Sequence, residues 1–492
     1  MQTFSRRHML RLAGCTSGAA LCHLAGSRLP VQAEAAPLRA RRPNIIWIVL
    51  DTARKDRLSC YGHTRDTSPR IDEIAAEGVL FRTAVSSSPW TLPSHASMFT
   101  GMSAGAHKAT CWRPFLDERY PTVAEVLGAA GYQTLCFSNN PYLYADYGIK
   151  RGFDACQPIS KAEWEEHGDK GAFKTNEKVK GWFLGERDAD RPFLLVLNYV
   201  EPHLPFSQLP EPHAAKYLPG QGKADIAAQL KKKNIESAWV YLAGKFTLNE
   251  EDCHLLHALY DAGIAYLDRR VGELLDFFRK QQILDDSLLI ITSDHGEGLG
   301  EHALMEHQFS VYEPVLAVPL ILRYPALGGE GQEIARPVQT LDLFPTIAQL
   351  LELRWEGESW LQGHDLFDGE NSSPYAFSEY WPAIGTMERI RKLSPRLDMG
   401  RFNRVLKAVR TDRYKYIWSC CGQRELFDLA KDPRETQNLI AKKTDVAREL
   451  DQVLQAYLTA QQAVGPGETP PDGGSQKVDA AVKEQLENLG YF

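Results

Sequence analysis

The stretch "PWTLPSHASMFTG", residues 89–101, sets the Thr91 hydroxyl between Pro89 and Pro93. Proline restricts the backbone on both sides, which suits a side chain that must be presented in one orientation. An unassisted threonine is a poor nucleophile. A divalent ion lowers the pKa of a coordinated alcohol as it does that of water, and so makes it a nucleophile near neutral pH. Ligands for such an ion stand elsewhere in the chain. Asp51 follows the apolar run "NIIWIVL", Asp294-His295 follows "LLIITS", and His203 follows "FLLVLNYVEP". Asp51, Asp294, His295 and Thr91 together make a mixed oxygen–nitrogen shell for one divalent ion. That donor set favours Mn²⁺ or Zn²⁺, with Ca²⁺ a further option. If "HASMFTG" opens a helix, its amides add a positive field for an anionic substrate.

These groups can meet if the runs that precede them are strands of one open α/β sheet. Asn44 to Leu50 reads as a strand buried on both faces. A helix follows with Ser68 as N-cap, Pro69 first and Gly78 as stop. The unit repeats as a helix from Pro121 to Gly131 and a strand through Phe137. Further strands are expected in "FLLVLNYVEPH", "SLLIITSDHGE" and "AVPLILRYP". Helices are expected from about Leu255 to Gln281 and in "TLDLFPTIAQLLEL". Alternating strands and helices over residues 41–370 predict an α/β domain with a large, mainly parallel sheet between helices. In such sheets ligands bind beyond the carboxyl ends of the strands. Residues 371–464 change character, with hairpin strands and a helix near Val446 to Gln461, and predict a smaller α+β domain. Arg410 and Lys415 there are expected to brace the hairpin. Residues 465–492 read as a flexible linker and a terminal helix.

The chain has 492 residues, 43% of them hydrophobic, and a net charge of -7, so it can bury a sizeable core and offers no basic footprint for nucleic acid. No segment after the N-terminus is apolar enough to span a membrane. Residues 1–35, with paired Arg6 and Arg7, an apolar stretch and Ala33-Glu34-Ala35, resemble a bacterial twin-arginine export signal. That resemblance implies a periplasmic or secreted protein. Cys60, Cys111, Cys136, Cys156, Cys253, Cys420 and Cys421 remain beyond it and show no spacing of a disulfide framework or zinc ribbon.

With "PNIIWIVLDTARKDRLSCYG", "TLPSHASMFTG", "YVEPHLPF", "TSDHGEGLGEHALMEHQFSVYEPVLAVPLIL", "AVRTDRYKYI" and "ELFDLAKDPRETQNL" in this order, the chain resembles the sulfatase branch of the alkaline phosphatase superfamily. The resemblance implies an alkaline phosphatase-like α/β sandwich, a small domain with a four-stranded antiparallel sheet, and hydrolysis of ester-linked anions. The departures are informative. The family's formylglycine precursor, Cys or Ser, is replaced by Thr91, so no formylglycine is expected. Its arginine is replaced by His95, its paired aspartates by Asp51-Thr52, and its Asp-Asn by Asp294-His295. Its second lysine falls where His307 stands, and the segment of its first lysine reads "FSNNPY", with Asn139 and Asn140. His107 matches a family histidine near the nucleophile.

The expected function is cleavage of sulfate, phosphate or phosphonate esters of a small-molecule or glycan-linked substrate, through Thr91 on one divalent ion. His203 and His307 would contact substrate oxygens or protonate the leaving group. His95 would bond the threonine oxygen or a substrate oxygen, and His107 would orient the nucleophile or activate the second-step water. The alternatives are a phosphoryl-group transferase to an acceptor alcohol and a non-catalytic sulfatase-like binding protein.

Overall fold

The computed structural model describes residues 42–206, 216–218, 237–369, 372–461 and 483–484. The expected export signal and almost all of the terminal linker and helix lie outside them. A nine-stranded sheet forms the centre, with the order β11-β2-β10-β6-β1-β5-β3-β4 and β9 on β2. Its strands are β1 (Asn44–Leu50), β2 (Val79–Val85), β3 (Gln133–Ser138), β4 (Ala155–Pro158), β5 (Phe193–Tyr199), β6 (Ser287–Thr292), β9 (Ala317–Val318), β10 (Leu320–Arg323) and β11 (Gln332–Gln339). Between β6 and β9 a two-stranded ribbon of β7 (Gly298–Leu299) and β8 (Met305–Glu306) stands apart. Strand β1 runs parallel to β5 and β6, β3 parallel to β4 and β5, and β11 parallel to β2. The expected "AVPLILRYP" strand is split into β9 and β10, and both pair antiparallel. The sheet is therefore mixed but mainly parallel, as the sequence predicts.

Strand β1 shows why an unbroken apolar run was needed. Ile45, Trp47 and Val49 pack into one core, with α2 (Thr91–Thr100), α4 (Val123–Ala129) and α7 (Leu343–Leu350). Ile46, Ile48 and Leu50 pack into the other, with α1 (Pro69–Glu77), α5 (Ala172–Gly185) and α6 (Glu250–Lys280). Successive side chains point to opposite faces, so a strand covered by helices on both must be apolar throughout.

Several boundaries differ from expectation for local reasons. Helix α4 starts at Val123, because Thr122 and Glu125 form a capping box that leaves Pro121 outside. Helix α6 begins at Glu250, five residues before the expected start. Its polar first turn is closed by an Asn249–Asp252 capping box and suits the helix dipole. Ser68 does precede α1, but its hydroxyl donates to Asp72 Oδ1 and caps no backbone amide of the helix.

The small C-terminal sheet is antiparallel, in the order β12 (Ala376–Tyr380), β13 (Leu406–Arg410), β14 (Tyr414–Ser419), β15 (Arg424–Asp428). One face, through Ala408, Ile417 and Phe427, packs on Phe309, Val311 and Val315 of the large domain. The other carries α8 (Thr444–Gln461) on Val409, Tyr416 and Leu426. Arg410 and Lys415 reach beyond their hairpin. Both bind Glu313 of the large domain, at 3.2 and 3.1 Å. A second tie is buried: Glu379 pairs with Lys407 and accepts from the amide of Gly105 at 3.2 Å and from Gln461. Glu379→Ala leaves Lys407 buried without its carboxylate. It is expected to cost about 3–5 kcal/mol in chemical denaturation, and a cost under about 1 kcal/mol would count against the tie.

Candidate active site

Helix α2 begins at Thr91 itself, with Trp90 as extended N-cap, and ends at Gly101 in the left-handed conformation (φ 65°). Pro93 therefore lies in the first turn, where its missing N–H is harmless. All ten residues of the helix are buried. Its position is fixed from the β6 side: Ser94 Oγ donates to the carbonyl of Asp294 at 2.7 Å, and Ser86 Oγ donates to the same oxygen.

Asp51 leaves the end of β1, and Asp294 and His295 leave the end of β6. Ligand atoms of the three lie within 4.8 Å of one another. Asp51 Oδ2 accepts from Asn140 Nδ2 at 2.9 Å and from Asn198 Nδ2 at 3.2 Å. Asp294 Oδ1 accepts from the amides of Thr52 and His295, at 3.2 and 2.9 Å. The remaining oxygens, Asp51 Oδ1 and Asp294 Oδ2, are buried and have no hydrogen-bond donor among the described residues. His295 Nδ1 donates to the carbonyl of Gly296 at 3.0 Å, which leaves the Nε2 lone pair 3.2 Å from Asp294 Oδ2 and 3.3 Å from Thr91 Oγ1. Gly296 must be glycine, since a Cβ there would sit 2.1 Å from the carbonyl oxygen of Pro314.

Acceptors facing one another in a dry site require a proton or a cation between them. Burial, then Asp294, pushes the Asp51 carboxyl up to about 7, and burial pushes Asp294 up to about 7. Burial also lowers the His295 imidazole. A neutral imidazole nitrogen, two carboxylate oxygens and a threonine hydroxyl fit a divalent transition ion. Asn140 links Thr91 to Asp51. Its Oδ1 caps Tyr142 N at 3.1 Å, which turns Nδ2 toward Thr91 Oγ1 at 3.3 Å as well as toward Asp51.

The expected histidines divide. His203 and His307 join the cluster: the His307 ring stacks on His295 at 4.3 Å and meets His203 edge-on at 5.0 Å. His203 Nδ1 donates to the Leu204 carbonyl at 2.8 Å. His95 lies one turn below Thr91, where helical spacing brings Nδ1 to the Thr91 backbone carbonyl at 2.9 Å rather than to the hydroxyl. Its Nδ1 is also 3.5 Å from Asp294 Oδ2. His107 sits behind α2, on the short helix α3 (Ala104–His107). Its Nδ1 accepts from the Ala109 amide at 3.1 Å and its Nε2 donates to Ser97 Oγ at 3.0 Å. With both nitrogens committed to protein, His107 supports helix α2 and is poorly placed to activate water. Burial holds His95, His107 and His203 down at about 3, so all three rings are neutral.

Three groups were not legible as site residues. Asn198 is hidden inside the apolar run of β5. Glu297 belongs to the quoted "SDHGEGLG" segment, yet nothing in its spacing assigns it a partner. Lys170 precedes α5, far in sequence from the segment where a family lysine was expected. It is fully buried and donates to the carbonyls of Glu201, at 3.1 Å, and His203.

Sequence comparison gives this arrangement its context. Residues 43–353, more than half of the chain, match the family model described as Sulfatase. The chain belongs to the sulfatase family. It is 26% identical to an uncharacterized sulfatase, YidJ, of Escherichia coli, over 85% of this chain and 87% of that one. It is 25% identical to a choline-sulfatase of Rhizobium meliloti, over 81% and 82%. Among solved structures, the phosphonate monoester hydrolase of Agrobacterium radiobacter superposes with a TM-score of 0.70 at 25% identity, covering 87% of this chain and all of that one. This sulfatase-family protein is a hydrolase acting on sulfate or phosphate ester bonds, with an alkaline phosphatase-like fold and a candidate metal site at Asp51, Asp294 and His295.

Proposed function

We propose that this hydrolase cleaves phosphorus esters, phosphate or phosphonate, through Thr91 as nucleophile at a single divalent ion held by Asp51, Thr91, Asp294 and His295. The observation that carries the reading is the Thr91 hydroxyl, 3.3 Å from His295 Nε2, beside the buried ligand atoms of Asp51, Asp294 and His295, which lie within 4.8 Å of one another. A divalent ion, when bound, supplies the charge that turns an alcohol into a nucleophile and offsets the anionic substrate.

The chain's own residues supply the rest. Asn140 and the first turn of α2 hold Thr91 Oγ1 in one orientation. His203 and His307 line the neighbouring wall, where they would meet substrate oxygens. Burial keeps water away from the nucleophile, which strengthens each of these contacts. Phosphorus is favoured over sulfur on chemical grounds. A formylglycine hydrate expels sulfate from its own carbon, whereas an ester on threonine must be resolved by attack at the central atom. Phospho-threonine allows that attack; sulfo-threonine resolves slowly. The similarity to a phosphonate monoester hydrolase supports this preference, and the similarity to curated sulfatases keeps sulfate as the competing substrate. The substrate is an anionic ester of a small molecule or a glycan, and the anion is the common recognition element.

The test is a matched panel of aryl sulfate, phosphate monoester, phosphate diester and phosphonate monoester, assayed with protein reconstituted with Mn²⁺ or Zn²⁺. Turnover of a phosphorus ester is expected; turnover of the sulfate alone would overturn the phosphorus assignment. We also propose export through residues 1–35. Replacing Arg6 and Arg7 by lysine is expected to leave the protein in the cytoplasm, and unchanged fractionation would refute it.

A further inference from the structure

An ester on Thr91 needs something that formylglycine does not: a group that takes a proton from the water attacking the covalent intermediate. His107 is engaged elsewhere, and a lysine ammonium at the His307 position would have no lone pair to offer. His307 does, and it has a carboxylate behind it. Its Nδ1 lies 3.4 Å from Glu297 Oε1, and both side chains are wholly buried.

Glu297 has little other reason to be where it is. Its second oxygen, Oε2, has no hydrogen-bond donor among the described residues. Arg54 approaches it at 3.0 Å only through the backbone carbonyl, while its guanidinium pairs with Asp56 and Glu301. A buried carboxyl group whose side-chain hydrogen-bond partner among the described residues is one imidazole is costly for stability. It is well suited to hold that imidazole in one tautomer.

We infer that Glu297 positions His307, with Nδ1–H held on the carboxylate and Nε2 turned to the reaction centre, as the base for the second half of the reaction. The inference rests on the covalent reading of Thr91 above. In the step it describes, the water oxygen bonds to phosphorus and the bond between phosphorus and Thr91 Oγ1 breaks. The water proton moves to His307 Nε2 and stays there for the leaving oxygen of the next turnover, while the Thr91 oxygen, at the opposite apex, departs unprotonated and ready to attack again. The leaving oxygen of the first half occupies the same apical position as this water, so the same nitrogen faces it there.

The experiment separates the two halves. With an aryl ester whose leaving group needs no proton, Glu297→Ala and His307→Gln are expected to release about one equivalent of phenol quickly and then turn over about 100-fold more slowly than wild type. The Thr91 peptide should carry the transferred group in a mass spectrum of quenched protein. Glu297→Gln, which keeps an acceptor for Nδ1–H, is expected to recover part of the rate. Wild-type rates in Glu297→Ala, or loss of burst and turnover together with the bound metal intact, would overturn the inference. A nitrogen-resolved NMR spectrum of metal-loaded protein, with His307→Gln to assign the signal, is independent of turnover. His307 should be protonated at Nδ1 in wild type and lose that preference in Glu297→Ala. The opposite tautomer in wild type also overturns the inference. Absence of all ester turnover in wild type would instead count against the covalent reading of Thr91.

Discussion

Replacing Thr91 by alanine is expected to lower kcat on the preferred ester by about 10⁴-fold or more, the scale seen when a covalent nucleophile is removed. The methyl group of alanine leaves Asp51, Asp294 and His295 in place, so metal content should fall far less than activity. Thr91→Ser keeps the hydroxyl at the start of α2 and is expected to retain activity within about 100-fold. Rates measured at saturating metal, with metal content determined on the same samples, separate the two roles of the residue. If Thr91→Ala keeps more than a tenth of the wild-type rate at full metal occupancy, another group attacks the substrate. The burial of all of α2 sets the scale of the control. Neither substitution introduces a new polar group, and the loss of one hydroxyl should cost only about 1 kcal/mol in stability.

Removing the metal is the second large effect, and its sign can be worked out. An ion at a thousandfold its Kd stabilises the folded state by about 4 kcal/mol. Chelation should therefore lower Tm clearly, and Asp294→Asn should abolish that metal-dependent shift. In metal-free protein the same substitution is expected to be neutral or stabilising, because it removes a buried carboxylate that faces Asp51. Opposite signs in the two states cannot come from general damage. A full metal-dependent shift in Asp294→Asn would refute the site.

The pH dependence follows from the same pair. Asp51 and Asp294 sit at about 7 in the folded, metal-free protein against an ordinary value of 3.8. Folding thus takes up protons between those values, so the contribution of this pair to metal-free stability is fully present below about pH 4 and is lost as pH rises through 7. Metal-loaded protein should show the reverse trend, since protons compete with the ion. Calorimetry of both forms at pH 5 and pH 8 checks the crossing.

Much of this site was open to reading in one dimension because parallel sheets impose a simple rule. A strand covered on both faces is an unbroken apolar run, as in Asn44–Leu50 and Ser287–Thr292, and whatever polar residue follows it stands at the ligand-binding edge. Asp51, Asp294, His295 and His203 were legible for that reason, and Thr91 through its two prolines. Strands β2 and β11 were not. Arg82 and Thr83 break the apolar run of the first, and the second is mostly polar, with a register shift between Ile334 and Pro337.

The residue types, with Thr91 standing where the family has its formylglycine precursor and Asp51, Asp294 and His295 as candidate ligands, are read from the amino-acid order alone. Which histidine does what was decided only in three dimensions. Helical spacing turned His95 to a backbone carbonyl, and the α3 turn faced His107 toward Ser97. The β7–β8 ribbon brought Glu297 to His307 from ten positions away. Side-chain direction depends on the packing of neighbouring elements, and no local pattern encodes it.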